Sequence, residues 1–397
     1  MKAEANLLGA SFAHVTILAR WGGEFVRVIC AAVLLVLLSG CADRHYSPVL
    51  PAAKQIGKQH TVFVASVRGK EADGTYRHRR SSNVELMEMT VSIPSGRKAG
   101  TLNFSHGNPD PQTEFTLSEQ IAISERSQLA SRLKEEQTDN GWPSREVTVF
   151  VHGYNVTQVE AVFRGAQIAH DIDLPGSLTV YSWPSRARPF GYAYDLDSML
   201  YARDGLEKTL QMLKVSGVER IILVAHSMGA ALAMEMLRQA EIRNPGWARR
   251  TLNGVVLVSP DIDVDVFNSQ VSSLRSVPEP FIVMVSRKDA ALNISARLRG
   301  TADSKRLGNV GSTVKLRNLP IEIVDITAFS RDASQPHFAI STSPSLISVL
   351  NSIKEVNQSL ESENAVFENL SPSSAGPATG LLEVVLEPYP GSKGGLR

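Results

Sequence analysis

The sequence predicts an α/β fold with a mainly parallel central sheet, helices on both faces of that sheet, and an N-terminal β extension. Short apolar runs alternate with helical patterns over the central and C-terminal parts of the chain. Strands separated by helices are joined by right-handed crossovers, which make them parallel. The expected strands are 147–151, 178–182, 221–224, 255–258, 281–285 and 321–326, and the expected helices between them are 158–172, 195–213 and 230–242.

The most informative stretch is 220–229, which reads RIILVAHSMG. The apolar run 221–224 has no polar alternation, so it suits a strand buried on both faces. Ser227 follows, with the small residues Ala225 and Gly229 two positions to either side. A G-x-S-x-G pattern between a strand and a helix indicates a nucleophile elbow, where a larger neighbour would collide with the adjoining backbone. Alanine in place of the first glycine adds only a methyl group. Ser227 is therefore the candidate nucleophile, and a serine at an ordinary turn is the alternative.

The length and composition suit a globular chain with a substantial core. The chain has 397 residues, of which 43% are hydrophobic and 20% charged, and its formal net charge is +1. That charge argues against a nucleic-acid partner, because there is no basic excess to neutralise phosphates. The basic run 77–80 is interpreted as a solvated loop.

The N-terminus is predicted to be a secretory signal. An apolar run of eleven residues, 28–38, follows Arg27 and is too short to span a bilayer. The residues 38–41, Leu-Ser-Gly-Cys, resemble the bacterial lipobox. This resemblance implies that 1–40 is a signal peptide, that Cys41 carries lipid, and that 41–58 is a tether. A plain signal peptide, or a degraded anchor with a chance cysteine, is the alternative.

The two cysteines agree with that interpretation. Cys30 would leave with the signal peptide and Cys41 would carry lipid, which leaves no disulfide and no thiolate site in the mature chain. We expect translation to start nearer Val26, because the stretch before it is long for a signal peptide. Ala42 resembles the sorting residue of outer-membrane lipoproteins, so we expect a lipid-anchored protein of the bacterial cell envelope, on the outer membrane and facing the periplasm.

The folded domain is predicted to span 59–357. It should open with strands at 61–67, 85–93 and 100–104, a loop at 108–113, and a helix through Leu129 and Leu133 that ends at Asn140-Gly141. The tail 358–397 is rich in Ser, Glu, Pro and Gly, and 371–380 should be disordered. Within the tail, the apolar patch 381–386 is a candidate docking strand.

The base and the acid follow from the order of residues in this kind of hydrolase, which is Ser, then Asp or Glu, then His. Among nine histidines only His337 lies beyond Ser227, which makes it the candidate base, and a surface histidine is the alternative. Several carboxylates intervene. Asp289 ranks first because it follows the strand 281–285, one strand before the histidine loop. Asp261 ranks second and Asp325 third.

A developing oxyanion needs backbone N–H donors. The segment 152–155, His-Gly-Tyr-Asn, follows the strand 147–151, and its glycine lets the chain turn its amides toward the nucleophile. The expected donors are the amides of Tyr154 and Met228. His152 and His226 are interpreted as structural. The aromatic residues proposed to line an acyl pocket are Trp183, Tyr192 and Tyr194.

Several ordered motifs carry a family resemblance: HGYNV at 152–156, SWPS at 182–185, AHSMG at 225–229, SPDID at 259–263, SRKDAAL at 286–292 and PHF at 336–338. Together with the opening FVASVR, at 63–68, and the SIP at 92–94, they resemble the bacterial esterase/lipase-like family of the DUF900 type, within the α/β-hydrolase superfamily. The resemblance covers roughly 61–356 and implies Ser227, Asp289 and His337 as a triad. This chain has Gln-Pro-His at 335–337 where the family commonly shows Gly-His-Ser.

The predicted function is a serine hydrolase that cleaves a small-molecule or lipid ester through an acyl-enzyme, with no cofactor and no metal. Two alternatives stay open. One is a catalytically silent envelope lipoprotein that keeps the scaffold for interaction, since fold does not fix function. The other is an acyltransferase with the same triad. The sequence leaves the oligomeric state open.

Overall fold

The computed structural model describes residues 43–300, 306–310, 321–331, 333–335, 337, 339–348 and 350–351, and the backbone of 382–385. The chain divides into two units, 1–44 and 45–397, and of the first unit only Asp43 and Arg44 are described. The predicted signal peptide, Cys41 and the segment 371–380 lie outside the described residues.

The described strands are β1 Lys58–Lys70, β2 Tyr76–Ile93, β3 Thr116–Ile123, β4 Glu146–Val151, β5 Ser177–Ser182, β6 Arg220–His226, β7 Gly254–Val258, β8 Phe281–Val285, β9 Glu322–Asp325 and β10 Leu382–Val385. They form one sheet in the order β10-β9-β8-β7-β6-β4-β5-β1-β2-β3. From β10 to β1 every neighbouring pair is parallel, and the hairpin pairs β1·β2 and β2·β3 are antiparallel. The predicted α/β fold with an N-terminal β extension is confirmed.

Helices connect the parallel strands. The expected helices 158–172, 195–213 and 230–242 are present with slightly shifted ends, and the helix before Gly141 ends in a left-handed cap at that glycine, whose φ is 66°. The helices are α1 Arg126–Asn140, α2 Gln158–Asp171, α3 Tyr192–Val215, α4 Met228–Arg243, α5 Trp247–Thr251, α6 Val264–Val271, α7 Ala290–Leu298 and α8 Ala339–Thr342. Four of these, α5 to α8, are short helices that periodicity did not reveal.

Strand β6 shows why its apolar run lacks polar alternation. Leu223 and Ala225 pack into the hydrophobic core on one face of the sheet, and Ile222 and Val224 pack into the core on the other. Successive side chains of a strand point to opposite faces, so a strand covered on both faces is apolar throughout.

The N-terminal extension departs from prediction in two places. The segment 100–104 is a loop, and the third strand of the extension is Thr116–Ile123. The basic run 77–80 is not a loop, because it lies within β2. Arg80 explains the second error, since its Nε donates to Ser198 Oγ at 3.0 Å and its guanidinium lies 4.6 Å from the centre of the Tyr194 ring. A basic residue can lie in a strand where its head group packs on a neighbouring helix.

The segments at both ends of the folded unit contact the sheet and are not simple linkers. Part of the predicted tether 41–58 packs on the sheet: Pro51–Gln55 is a 3₁₀ helix, Ala53 is fully buried, and the Leu50 amide donates to Leu117 O at 2.7 Å. At the other end, β10 falls in the predicted apolar patch 381–386 and pairs in parallel with β9. Within the described part of the chain, no helix combines the length and apolar character needed to cross a membrane.

Candidate active site

Ser227 occupies the turn between β6 and α4, and its backbone is strained. Its φ is 54° and its ψ is −122°, in a region that side-chain-bearing residues seldom occupy. Such a conformation costs about 1–3 kcal/mol and persists only where the surroundings enforce it. The Ser227 amide donates to Val258 O of the neighbouring strand at 3.0 Å, which helps to hold the turn.

Two glycines let the elbow contact the loop after β4. A Cβ on Gly229 would lie 2.3 Å from the His152 carbonyl oxygen, and a Cβ on Gly153 would lie 3.1 Å from Ser227 Cβ. A side chain at position 229 would therefore require a backbone shift, and one at position 153 would press on the side chains of His226 and Ser227. Ala225 is fully buried and fits, which shows that a methyl group is tolerated at the first small position of the motif.

The structure brings His337 and Asp289 together. His337 Nδ1 lies 2.6 Å from Asp289 Oδ2 and donates to it, because a carboxylate can only accept. The Asp289 side chain is fully buried, whereas that of His337 is 26% exposed. Asp289 Oδ1 accepts from the amides of Ala291 and Leu292 at 3.1 and 3.3 Å, so the same carboxylate caps α7 and orients the imidazole.

His337 is held from a second side by His226, the residue before the serine. The two ring centres are 4.8 Å apart, and His226 Nε2 donates to the His337 carbonyl oxygen at 3.2 Å. Burial, followed by the nearby His337, lowers the pKa of His226 well below its usual value. His226 therefore stays neutral and acts as a packing neighbour of His337. Within the described part of the chain the Ser227 hydroxyl has no hydrogen-bond partner, and a nucleophile–base contact is often loose before substrate binds.

The second- and third-ranked acids have other partners. Asp261 accepts from Tyr192 Oη at 2.7 Å and from Ser295 Oγ at 2.6 Å. Asp325 accepts from Arg287 Nε at 2.9 Å and from the Thr327 amide at 2.8 Å.

The amides expected to stabilise an oxyanion lie on the two segments that Gly153 and Gly229 hold in contact. Met228 is the first residue of α4, where amides lack an intrahelical acceptor. No described residue accepts a hydrogen bond from the amide of Met228 or of Tyr154. Both donors are thus available for a ligand.

Sequence reasoning missed Arg68, which lies beneath the loop 152–156 that follows β4. Its side chain is fully buried at the end of β1, and its donors reach five acceptors: Ser182 Oγ at 2.8 Å, Ser185 O at 3.0 Å, Val156 O at 2.8 Å, Arg77 O at 3.4 Å and His152 Nε2 at 3.3 Å. A guanidinium has five N–H groups, so every donor has a partner. Burial lowers the pKa of Arg68 to about 10, which still leaves it charged. The available signal was an arginine that directly follows an apolar strand.

His152 is structural, as predicted, and its protonation state follows from its partners. Its Nδ1 lies 2.8 Å from Gly153 O and must donate to that carbonyl, which leaves Nε2 free to accept from Arg68. Its ring stacks on Trp183 at 5.1 Å, and Trp183 Nε1 donates to His152 O at 2.7 Å. Burial, followed by the charge of Arg68, lowers the pKa of His152 to about 3.

The low pKa of His152 predicts acid-sensitive stability. The folded pKa of about 3 lies below the ordinary value of 6.5, so between these two pH values the unfolded chain binds a proton that the folded protein does not. This contribution is fully present above pH 6.5 and is lost as the pH falls, by about 2 kcal/mol at pH 5. Urea unfolding from pH 7 to pH 5 measures it. His152→Asn keeps an acceptor for Arg68 and should show a shallower pH dependence. Equal slopes for the two proteins would contradict this assignment.

The three aromatic residues proposed as an acyl pocket do not form one. Trp183 is fully buried in the core beneath the loop. Tyr192 and Tyr194 lie in the first turn of α3, where Tyr194 Oη donates to His78 O at 2.6 Å. Tyr192 alone lies near the site, with its ring centre 5.3 Å from that of Tyr154. No group of three His, Cys, Asp or Glu side chains suited to a metal ion occurs in the region that the structure covers.

The sheet is mainly parallel, and a strained serine follows its central strand β6. A histidine that follows β9 pairs with a carboxylate that follows β8. Together these features define a protein of the α/β-hydrolase class. Residues 121–354 match the family model described as "Alpha/beta hydrolase of unknown function (DUF900)". The match covers more than half of the chain, and the protein belongs to this family.

Solved structures that match this chain include several hydrolases. A dienelactone hydrolase from Anabaena variabilis aligns over 68% of this chain and 90% of its own, with 10% identity and a TM-score of 0.34. A structure from a study of two fungal esterases of Rhizomucor miehei aligns over 78% of this chain and 85% of its own, with 12% identity and a TM-score of 0.33. A metagenomic carboxyl esterase aligns over 87% and 86%, with 15% identity and a TM-score of 0.25. No curated protein matches the chain. These distant likenesses carry no substrate over to this protein.

Proposed function

We propose that this protein is a serine hydrolase that cleaves carboxylic esters through Ser227, His337 and Asp289. The observation that carries the proposal is the 2.6 Å hydrogen bond from His337 to the buried Asp289. His337 also contacts His226, the residue that precedes a serine held at a φ of 54°. A strained serine with a histidine that a carboxylate orients is the set of groups that acyl transfer requires.

In the proposed reaction Ser227 Oγ attacks the ester carbonyl carbon while His337 Nε2 takes the hydroxyl proton. Asp289 keeps Nδ1 protonated through its hydrogen bond, which leaves Nε2 free to act as the base. The amides of Tyr154 and Met228 donate to the oxyanion of the tetrahedral intermediate. The alcohol leaves with the proton from His337. Water then attacks the acyl-enzyme with the same base, which releases the carboxylic acid and restores Ser227.

Labelling with a fluorophosphonate tests the nucleophile. The wild-type protein should label at Ser227, and Ser227→Ala should not. Ser272→Ala, which removes an exposed hydroxyl on the far end of α6, is the matched control and should label normally. A folded wild type that stays unlabelled, or a Ser227→Ala protein that labels equally, would refute the proposed hydrolase. Either result would favour a catalytically silent protein that keeps the fold for interaction. Product analysis with added alcohols separates hydrolysis from acyl transfer to a non-water acceptor.

We further propose that Cys41 carries lipid and anchors the protein to the bacterial envelope, at the outer membrane facing the periplasm. The support is the Leu-Ser-Gly-Cys motif at 38–41 after an apolar run. Metabolic labelling with a fatty acid should mark the wild type and Cys30→Ser, since Cys30 lies within the signal, but not Cys41→Ser. Label on Cys41→Ser, or none on the wild type, would refute the anchor.

A further inference from the structure

A buried polar cluster adjoins the proposed nucleophile on the side of β7. Asp261 follows that strand, and its amide donates to the Ser227 carbonyl oxygen at 3.2 Å. Tyr192, which donates to the Asp261 carboxylate, has its ring against that of Tyr154. The cluster therefore contacts both the elbow and the loop that carries the proposed oxyanion donor.

Two arginines complete the cluster. Arg306 Nε lies 3.2 Å from Asp261 Oδ1, an ion pair without the alignment of a hydrogen bond, and both side chains are only 3% exposed. Arg299 Nε donates to Tyr192 Oη at 2.7 Å, and its guanidinium lies 5.4 Å from the centre of the Tyr192 ring.

The two guanidinium groups are incompletely paired. The Nη2 atoms of Arg299 and Arg306 are buried, and no hydrogen-bond partner for them occurs among the described residues. A buried donor without a partner destabilises the folded protein, and more so when it is charged. Among the contacts that the structure describes, these two guanidinium groups face one carboxylate, that of Asp261. A water molecule would accept from one N–H group but would not balance the second charge.

We propose that Arg299 and Arg306 bind a negatively charged group of the substrate, a carboxylate or a phosphate, beside Ser227. Guanidinium N–H groups suit the oxygens of either group, and a bound anion would supply both the missing acceptors and the missing charge. This inference rests on the proposed ester hydrolase and names its substrate class, an ester that bears an acidic group.

Two matched pairs of substrates test the preference and separate the two kinds of anion. The first pair is mono-4-nitrophenyl glutarate and its methyl-blocked ester, and the second is 1-butyrylglycerol 3-phosphate and 1-butyrylglycerol. The wild type should show a higher kcat/KM for the charged member of at least one pair, by roughly ten- to a hundredfold, since hydrogen bonds to charged groups are worth about 1.5–3 kcal/mol. Arg306→Gln and Arg299→Gln should bring the ratio toward one.

Arg297→Gln is the matched control, because it removes an exposed positive charge from α7, the helix that Arg299 follows directly. This variant should keep the wild-type ratio of kcat/KM between the charged and the uncharged substrate. Arg306→Lys keeps the charge facing Asp261 and serves if Arg306→Gln does not fold; it should bind the anion more weakly because it lacks the planar fork. Equal rates for both members of both pairs, or a preference that survives in the arginine variants, would overturn the proposal.

Direct binding distinguishes this site from the proposed chemistry. Calorimetric titration of the Ser227→Ala protein with glutarate and with inorganic phosphate should show saturable binding, in roughly the millimolar range for two charged contacts. The same titration of a Ser227→Ala, Arg306→Gln protein should show none. The anion site would stand on this result even for a protein without esterase activity. A Ser227→Ala protein that binds neither anion would refute the proposal.

Discussion

Asp289→Asn is expected to lower kcat for ester hydrolysis by about ten-thousandfold, the size of the effect of the same change in a serine-protease triad. The Asn side chain keeps an oxygen that can cap α7 at the Ala291 and Leu292 amides, where Asn caps about as well as Asp. Its amide then faces His337 Nδ1 with a donor in place of the acceptor Oδ2. The imidazole would be held in the tautomer that carries its proton on Nε2, where it cannot accept the Ser227 proton.

The chain offers a close control for this variant. Asp263 caps α6 in the same way that Asp289 caps α7, by accepting from the amides of Asp265 and Val266 at 2.9 and 3.4 Å. Asp263→Asn should therefore keep nearly full activity. Rates with a panel of 4-nitrophenyl esters, together with melting temperatures, measure both variants. An Asp289→Asn protein that retains more than a tenth of the wild-type kcat would exclude Asp289 as the orienting acid.

Arg68→Met is expected to destabilise the protein by more than about 3 kcal/mol, because it removes five hydrogen bonds, three of them fully buried. Arg68→Lys keeps the charge but has only three donors. It should fold and still bind substrate, with KM nearly unchanged. Its kcat should fall at least about tenfold, since losing one oxyanion donor costs more than that and the change shifts the loop that carries Tyr154.

Arg80→Met is the control for Arg68→Met. It separates the specific role of Arg68 from the general effect of losing an arginine of the N-terminal extension. Arg80 also joins the extension to α3, but with two hydrogen bonds, to Ser198 Oγ and to Tyr194 O, and a stacking contact. Its replacement should cost about 1 kcal/mol or less. Urea unfolding compares the stabilities, and steady-state kinetics compare the Lys variant with the wild type. Equal unfolding midpoints for Arg68→Met and Arg80→Met would show that Arg68 does not support the loop.

Several features of the site follow from local sequence alone. The run 221–224 and the small residues around Ser227 specify a buried strand and a strained turn, because both depend on neighbours within a few positions. His337 could be singled out because it alone follows the serine among the histidines. The predictions of a strand at 100–104 and a loop at 77–80 were wrong because the structure of these segments depends on distant parts of the chain. Strand-forming and basic residues take their structure from the strand or helix that they contact.

The sequence by itself determined the α/β architecture, the elbow at Ser227 and the single downstream histidine, because apolar periodicity and glycine spacing are properties of the local chain. Only the tertiary structure decided which carboxylate reaches His337: Asp289, Asp261 and Asp325 all follow strands of the same sheet, and their contacts depend on how loops far apart in sequence pack. The same holds for Arg68, Arg299 and Arg306. A buried charge is recognised by its partners across the fold, and those partners lie on segments that only folding brings together.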